Sequence, residues 1–141
     1  MGDLISSLKI SAAGMKVQGS RLRVIAENLA NVDSLPTEPG KSPYRRKTIF
    51  FQNILDRKLG LNLVEVKKVG LDKSEFSSRL DPSHPAANED GYVKIPNVKT
   101  LVEVMDMREA QRSYEANLTA IRSARSISKS CSGSVRRKRS T

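Results

Sequence analysis

Apolar positions recur at helical spacing near both ends of this chain and at strand spacing between them. From Asp3 to about Asn31, Leu8, Met15, Leu22 and Leu29 follow at steps of seven, and Ile5, Ala12, Gly19 and Ala26 share that period. A narrow stripe of this kind has coiled-coil spacing and predicts a helix that packs along one seam. Gly14 and Gly19 lie on or beside the stripe. Each costs an isolated helix about 1 kcal/mol relative to Ala, but lets another backbone come close. Asp3 is placed to cap the helix start, and Asn31, which tolerates a left-handed conformation, to end it ahead of Asp33 and Pro36.

A second helix is expected to open at Thr100 and Glu103, whose spacing is that of a capping box, with Asn97 as the competing cap. Leu101, Val104, Met107, Ala110, Tyr114, Leu118, Ile121 and Ala124 then repeat at three and four residues. Glu109, Arg112 and Glu115 fall on another face at ion-pair spacing. Short strand signals occupy the middle: Thr48 to Phe51, Leu63 to Val69 with Val64 and Val66 alternating with Glu65 and Lys67, and Tyr92 to Ile95. All six prolines lie between Pro36 and Pro96, so none interrupts either flank. The expectation is an α+β chain: long N- and C-terminal helices pair as a coiled-coil-like assembly domain around a small central β and irregular domain. The expected boundaries are an assembly helix over 1–32, a proline-rich centre over 33–96, a second assembly helix over 97–128, and a disordered basic, serine-rich tail over 129–141.

Composition sharpens this picture. There is no Trp, and five of the six aromatics (Tyr44, Phe50, Phe51, Phe76 and Tyr92) are central, which predicts a small central core. Narrow-striped end helices bury too little to offset the entropy of ordering them, so they are expected to fold against neighbouring copies. An antiparallel helix pair on the central sheet is the alternative. The net charge of +10 suggests an acidic partner, but the last acidic residue is Glu115 and seven positive charges follow it, leaving residues 1–115 at +3. Arg136 to Arg139 could bind phosphate backbones, which makes a small basic nucleic-acid-binding protein the second functional reading. No aromatic interleaves with that cluster to stack on bases.

Candidate chemistry is thin. Gly40-Lys41-Ser42 resembles the end of a phosphate loop, but Leu35 stands where the first glycine belongs and Pro36 and Pro39 stiffen the turn. His84 is the only histidine and Cys131 the only cysteine, so neither a metal site nor a nucleophile with its base is indicated. Asn117-Leu118-Thr119 has sequon spacing but falls mid-helix. The expectation is no enzymatic activity, no catalytic residue, no cofactor and no metal. No apolar run reaches a membrane span, and Met1 to Leu8 lacks the features of a secretory signal.

The first flank, SAAGMKVQGSRLRVIAENLANVDS, closes on Glu27-Asn28-Leu29-Ala30-Asn31. It resembles the N-terminal signature of flagellar rod and hook proteins, and Pro43-Tyr44-Arg45-Arg46-Lys47 continues the likeness. Gly91-Tyr92-Val93-Lys94-Ile95-Pro96-Asn97-Val98, Met107-Arg108-Glu109-Ala110 and Arg112-Ser113-Tyr114-Glu115-Ala116-Asn117 are similar, more narrowly, to the C-type proximal rod proteins. The resemblance covers about residues 4–125. It implies a structural subunit of the proximal rod of the bacterial flagellar basal body, exported without a cleaved signal and assembled in the periplasm into the hollow shaft that carries torque from motor to hook.

The implied partners are copies of itself, other flagellar rod proteins, the export apparatus and basal-body ring components, with no small-molecule substrate, no nucleic acid and no membrane insertion. The assembly residues that the resemblance implies are Leu22, Asn28, Leu29, Ala30 and Asn31 on the first helix and Tyr114, Asn117, Leu118 and Ile121 on the second; the apolar repeats add Leu8, Met15 and Met107 as expected assembly positions. The bland reading of Asn28 and Asn31 is that they only cap a helix. After Ala124 the chain departs from the family's apolar helix end and reads RSISKSCSGSVRRKRST. Either the tail is a genuine basic extension or the reading frame was lost near Ser123 to Ser126; a shifted or divergent end is the favoured expectation and would shorten the second helix there.

Overall fold

The computed structural model describes residues 2–138, with side chains described through residue 134; Arg139 to Thr141, the last part of the expected tail, lie outside the described residues. Helix α1 spans Gly2–Ala30, strands β1 Lys47–Asp56, β2 Leu61–Leu71, β3 Ser77–Leu80 and β4 Tyr92–Ile95 follow, and helix α2 spans Thr100–Lys138. The architecture is α+β, two long terminal helices flanking a central region of two small antiparallel sheets.

The helices run antiparallel in a constant register. Asn28 meets Glu103, Arg21 meets Glu109, and Gly14 faces Asn117. The buried side chains of α1 are Ser11, Val17, Val24, Ile25 and Asn28, and Glu103, Ala110 and Ala124 are buried on α2. Small residues predominate in this seam, which brings the helices close.

β1 and β2 form one hairpin in register from Lys47↔Leu71 to Asp56↔Leu61, with a bulge between Phe50 and Phe51. Gly60, at φ 64°, supplies the left-handed residue of its turn. β3 and β4 form the second hairpin, Ser77↔Ile95 to Leu80↔Tyr92. At Gly91, φ is 81° and a Cβ would stand 3.0 Å from Pro82 Cγ, so only glycine fits.

Four details differ from the sequence expectation. First, α2 does not end near residue 128 but continues to Lys138. Ser, Lys and Arg tolerate a helix, no proline follows Pro96, and Gly133 alone costs only about 1 kcal/mol. Second, the core is not built on the aromatics: Phe50, Phe51 and Tyr92 are 46%, 39% and 46% exposed, because α1 covers only part of the β1–β2 hairpin and, among the described residues, no helix packs on the β3–β4 hairpin. Val93, Ala86 and Val98 are buried instead. Third, α1 starts at Gly2, which puts Asp3 inside its first turn. Fourth, among the described residues no non-glycine adopts positive φ, so Asn31 ends α1 without a left-handed turn. Its side chain donates to the Glu27 carbonyl at 2.8 Å, satisfying a terminal acceptor directly.

Candidate assembly interface

The sequence-predicted stripe and the observed seam are different faces of α1. Leu8, Met15, Leu22 and Leu29 are half-buried, and Ile5, Ala12, Ala26 and Ala30 are exposed. The residues seen against α2 are Gly14, Arg21 and Asn28, each one residue before Met15, Leu22 and Leu29 and so offset by about 100° around the helix from the predicted stripe. At Gly14 it is a side chain and not a backbone that comes close, since a Cβ there would stand 2.8 Å from Asn117 Nδ2. Gly19 faces open space. On α2, Met107, Tyr114, Asn117, Leu118 and Ile121 are all half-buried. Only Asn117 of these five is brought against an α1 residue by a described close approach, and its Nδ2 also donates to the Ser113 carbonyl at 2.9 Å.

The seam ends in a polar junction. Asn28 is 1% exposed and uses its full hydrogen-bonding capacity. Its Nδ2 donates to the Lys47 carbonyl at 2.9 Å and to Glu103 Oε2 at 3.2 Å, while its Oδ1 accepts from Lys47 N–H and from Tyr44 Oη, each at 2.9 Å. Asn28 therefore does not cap a helix: it pairs with the backbone of Lys47 as a neighbouring strand would, and fixes where β1 begins. Asn31 does cap, as described above, and also accepts from Ser34 Oγ at 3.0 Å.

Glu103 was expected in a capping box with Thr100, but its carboxylate is wholly buried and points across the seam. It accepts from Asn28 and forms a short ion pair with Arg46 Nε. Asn97 is not a cap either. Its Oδ1 accepts from Arg46 N–H at 2.7 Å, and its Nδ2 donates to the carbonyls of Asp72 and Ser74 at 3.2 and 3.3 Å. Long-range partners have won over local capping, which spacing in sequence could not show.

Every residue of the Tyr44–Lys47 segment is anchored. Tyr44 holds Asn28, and its hydroxyl is pushed up from the usual value mainly by burial, with Lys47 partly offsetting this. Arg45 donates to the carbonyls of Asp72 and Ser74 at 2.7 and 2.9 Å and lies 4.2 Å from the centroid of the Phe76 ring. Arg46 adds Asp72 at 3.5 Å and Asp106 at 3.7 Å to its Glu103 pair. Burial alone would lower its pKa, but the bonds to Glu103 and Asp72 hold it above the ordinary value. Lys47 Nζ meets Glu27 Oε2 at 2.6 Å, and this hydrogen bond raises the ammonium pKa. Asp72 is held below the usual carboxylate range, first by hydrogen bonds from the Ser74 backbone and hydroxyl and then by Arg46.

This junction ties the end of α1, the start of β1, the Asp72 turn and the start of α2 together. That is a device for holding a shape. Among the described residues, no group of three or more His, Cys, Asp and Glu side chains is placed to hold a metal ion, and no helix is long and apolar enough to cross a membrane.

Comparison with known proteins agrees with this reading. Residues 89–132 match the family model described as flagellar basal body rod FlgEFG protein C-terminal. The chain is 48% identical over 127 residues to the flagellar basal-body rod protein FlgC of Agrobacterium fabrum, covering 90% of this chain and 91% of that protein. The chain belongs to the flagellar basal-body rod protein FlgC family. Its FlgC relatives in Bacillus subtilis and Salmonella typhimurium are each 36% identical, covering 86% and 88% of this chain and 91% and 92% of the relatives. The protein is thus a structural subunit of the flagellar basal-body rod and not an enzyme. The nucleic-acid reading has no support from these relatives. The family match also runs to residue 132, past the point where the apolar pattern ends.

Proposed function

We propose that this chain polymerises through its paired terminal helices, with copies of itself and other rod proteins, into the hollow shaft that transmits torque from motor to hook. It reaches the periplasmic rod through the flagellar export apparatus without a cleaved signal. The observation that carries this reading is the mismatch between stripe and seam. Leu8, Met15, Leu22 and Leu29 repeat too regularly to be incidental, yet α2 occupies a different face of α1 and leaves them half-exposed. A helix with one face covered by its own chain and an apolar stripe beside it left partly open is suited to packing on neighbours. The assembly residues are accordingly Leu8, Met15, Leu22, Leu29 and Ala30 on α1 and Met107, Tyr114, Leu118 and Ile121 on α2, while Asn28, Asn31 and Asn117 hold the subunit itself.

The test is to express the chain in a flagellated bacterium lacking its own C-type rod protein and examine hook-basal bodies by electron microscopy. Restored rods containing the chain are expected, together with loss of rods on Leu22→Lys. Absent rods with stable, exported protein would overturn the proposal.

A further inference from the structure

Leu101 and Met105 are the two most exposed large apolar side chains described on α2, at 74% and 63%, and Val102 beside them is 43% exposed. At 100° per residue, Leu101 and Met105 share a face roughly opposite Glu103 and Ala110, which are fully buried in the seam. Their own chain leaves them uncovered. The β1–β2 hairpin packs on α1, and the α2 residues beside its base are Glu103 and Asp106.

Across the helix pair, α1 and the hairpin leave an open groove of about 350 Å³. Val17, Ile54, Leu63 and Val66 supply much of its apolar lining, and Ile54 is 41% exposed. The molecule therefore carries an apolar projection on one helix and an apolar groove against the other, neither of which it can fill itself.

We infer that Leu101, Val102 and Met105 of one copy seat in the α1–hairpin groove of the next. This rests on the proposed polymerisation and names a contact for it. A second copy is the occupant because projection and groove occur on one chain at different places. Such a pair makes a heterologous contact that leaves a free projection and a free groove at the ends of every oligomer, so growth does not close. Two projections meeting face to face would instead give a closed dimer and stop. Charge orients the seat: the groove lining carries exposed Glu65 and exposed Lys16, so Arg108, exposed one turn along from Met105, belongs beside Glu65 and away from Lys16.

Sedimentation velocity of the full chain over a rising concentration series tests this, with Leu101→Glu blocking the projection and Ile54→Arg blocking the groove. Both positions are exposed, and circular dichroism verifies that each variant keeps its helices. The wild type is expected to associate progressively beyond a dimer, and each variant alone to associate at least roughly tenfold more weakly. An equimolar mixture of the two is expected to form a one-to-one dimer and stop, because it contains one intact projection and one intact groove. In a Cys131→Ser background, Leu101→Cys and Ile54→Cys on separate chains should then crosslink. Variants that associate like the wild type, a mixture without the dimer, or a wild type that stays monomeric would each overturn this contact. Rod restoration in cells tests the proposed function separately, so failure of one is distinguishable from failure of the other.

Discussion

Replacing Arg46 with methionine removes the cation that neutralises Glu103 while keeping most of the side chain's apolar bulk. The Glu103 side chain is 1% exposed, and Arg46 Nε is its ion-pair partner; what remains is the single 3.2 Å bond from Asn28 Nδ2. The Arg46 contacts to Asp72 and Asp106, at 3.5 and 3.7 Å and partly exposed, contribute little. The loss is therefore dominated by an uncompensated buried carboxylate, about 3–5 kcal/mol. That is a large share of the roughly 5–15 kcal/mol that holds an ordinary domain together. Urea unfolding of dilute protein followed by circular dichroism at 222 nm measures it. Pairing Arg46→Met with Glu103→Leu replaces both charges with apolar groups, and the double variant is expected within about 2 kcal/mol of wild type. The cycle should therefore be strongly non-additive. A cost below about 1 kcal/mol for Arg46→Met, or simple addition in the double variant, would refute the claim that Glu103 depends on Arg46.

Three further outcomes follow from the seam and its junction. Asn28→Ala leaves the Lys47 N–H and carbonyl without their partner and should cost roughly 2–4 kcal/mol by the same unfolding assay; a cost below about 0.5 kcal/mol would mean that Asn28 only terminates a helix. Gly14→Ala should destabilise despite alanine's better helix propensity, because its Cβ meets the Asn117 side chain at 2.8–3.1 Å, and Asn117→Ala should restore stability above that of the single variant. Stability should fall at both pH extremes. The contribution of Asp72, whose pKa is depressed in the folded state, is complete above about pH 4 and lost as pH falls through the folded value. Tyr44 and Lys47, both raised, contribute below about pH 10 and lose that contribution as pH rises through their folded values. Unfolding midpoints across pH test the signs, and Asp72→Asn should flatten the acid limb.

The helices were legible because their signal is local: proline-free flanks and a repeat of three and four residues define them within their own windows. β4 was legible for the same reason. β3 was not, since Ser77-Ser78-Arg79-Leu80 has no alternation and all four residues are exposed; only its backbone pairing with β4 makes it a strand. β1 extends beyond Phe51 through Gln52 and Asn53 because β2 opposite supplies a ladder, which no property of those side chains announces. The junction was half legible. Its residues stood out as a family likeness in Glu27–Asn31 and Tyr44–Lys47, but their roles depend on contacts across 16 to 75 positions of sequence. Glu103 shows the cost of reading locally: three residues after Thr100 it looks like a cap, and only the arrival of Asn28 and Arg46 makes it a buried counter-ion.

The same physics explains why polar residues sit where α1 ends and α2 begins. A seam made only of Ser, Gly, Ala and Val would hold the helices close but would tolerate sliding, because small side chains interlock weakly along the axis. Asn28 and Glu103 remove that freedom. Each is satisfied only when Gly14 faces Asn117 and β1 starts at Lys47, and a shift of one turn would strand a buried amide and a buried carboxylate together. Polar groups of this kind act mainly through specificity, excluding alternative registers. For a subunit of a rod this matters more than added stability, since the proposed assembly stripe of Leu8, Met15, Leu22 and Leu29 would present a defined surface to neighbours only if the helix beneath it cannot slip.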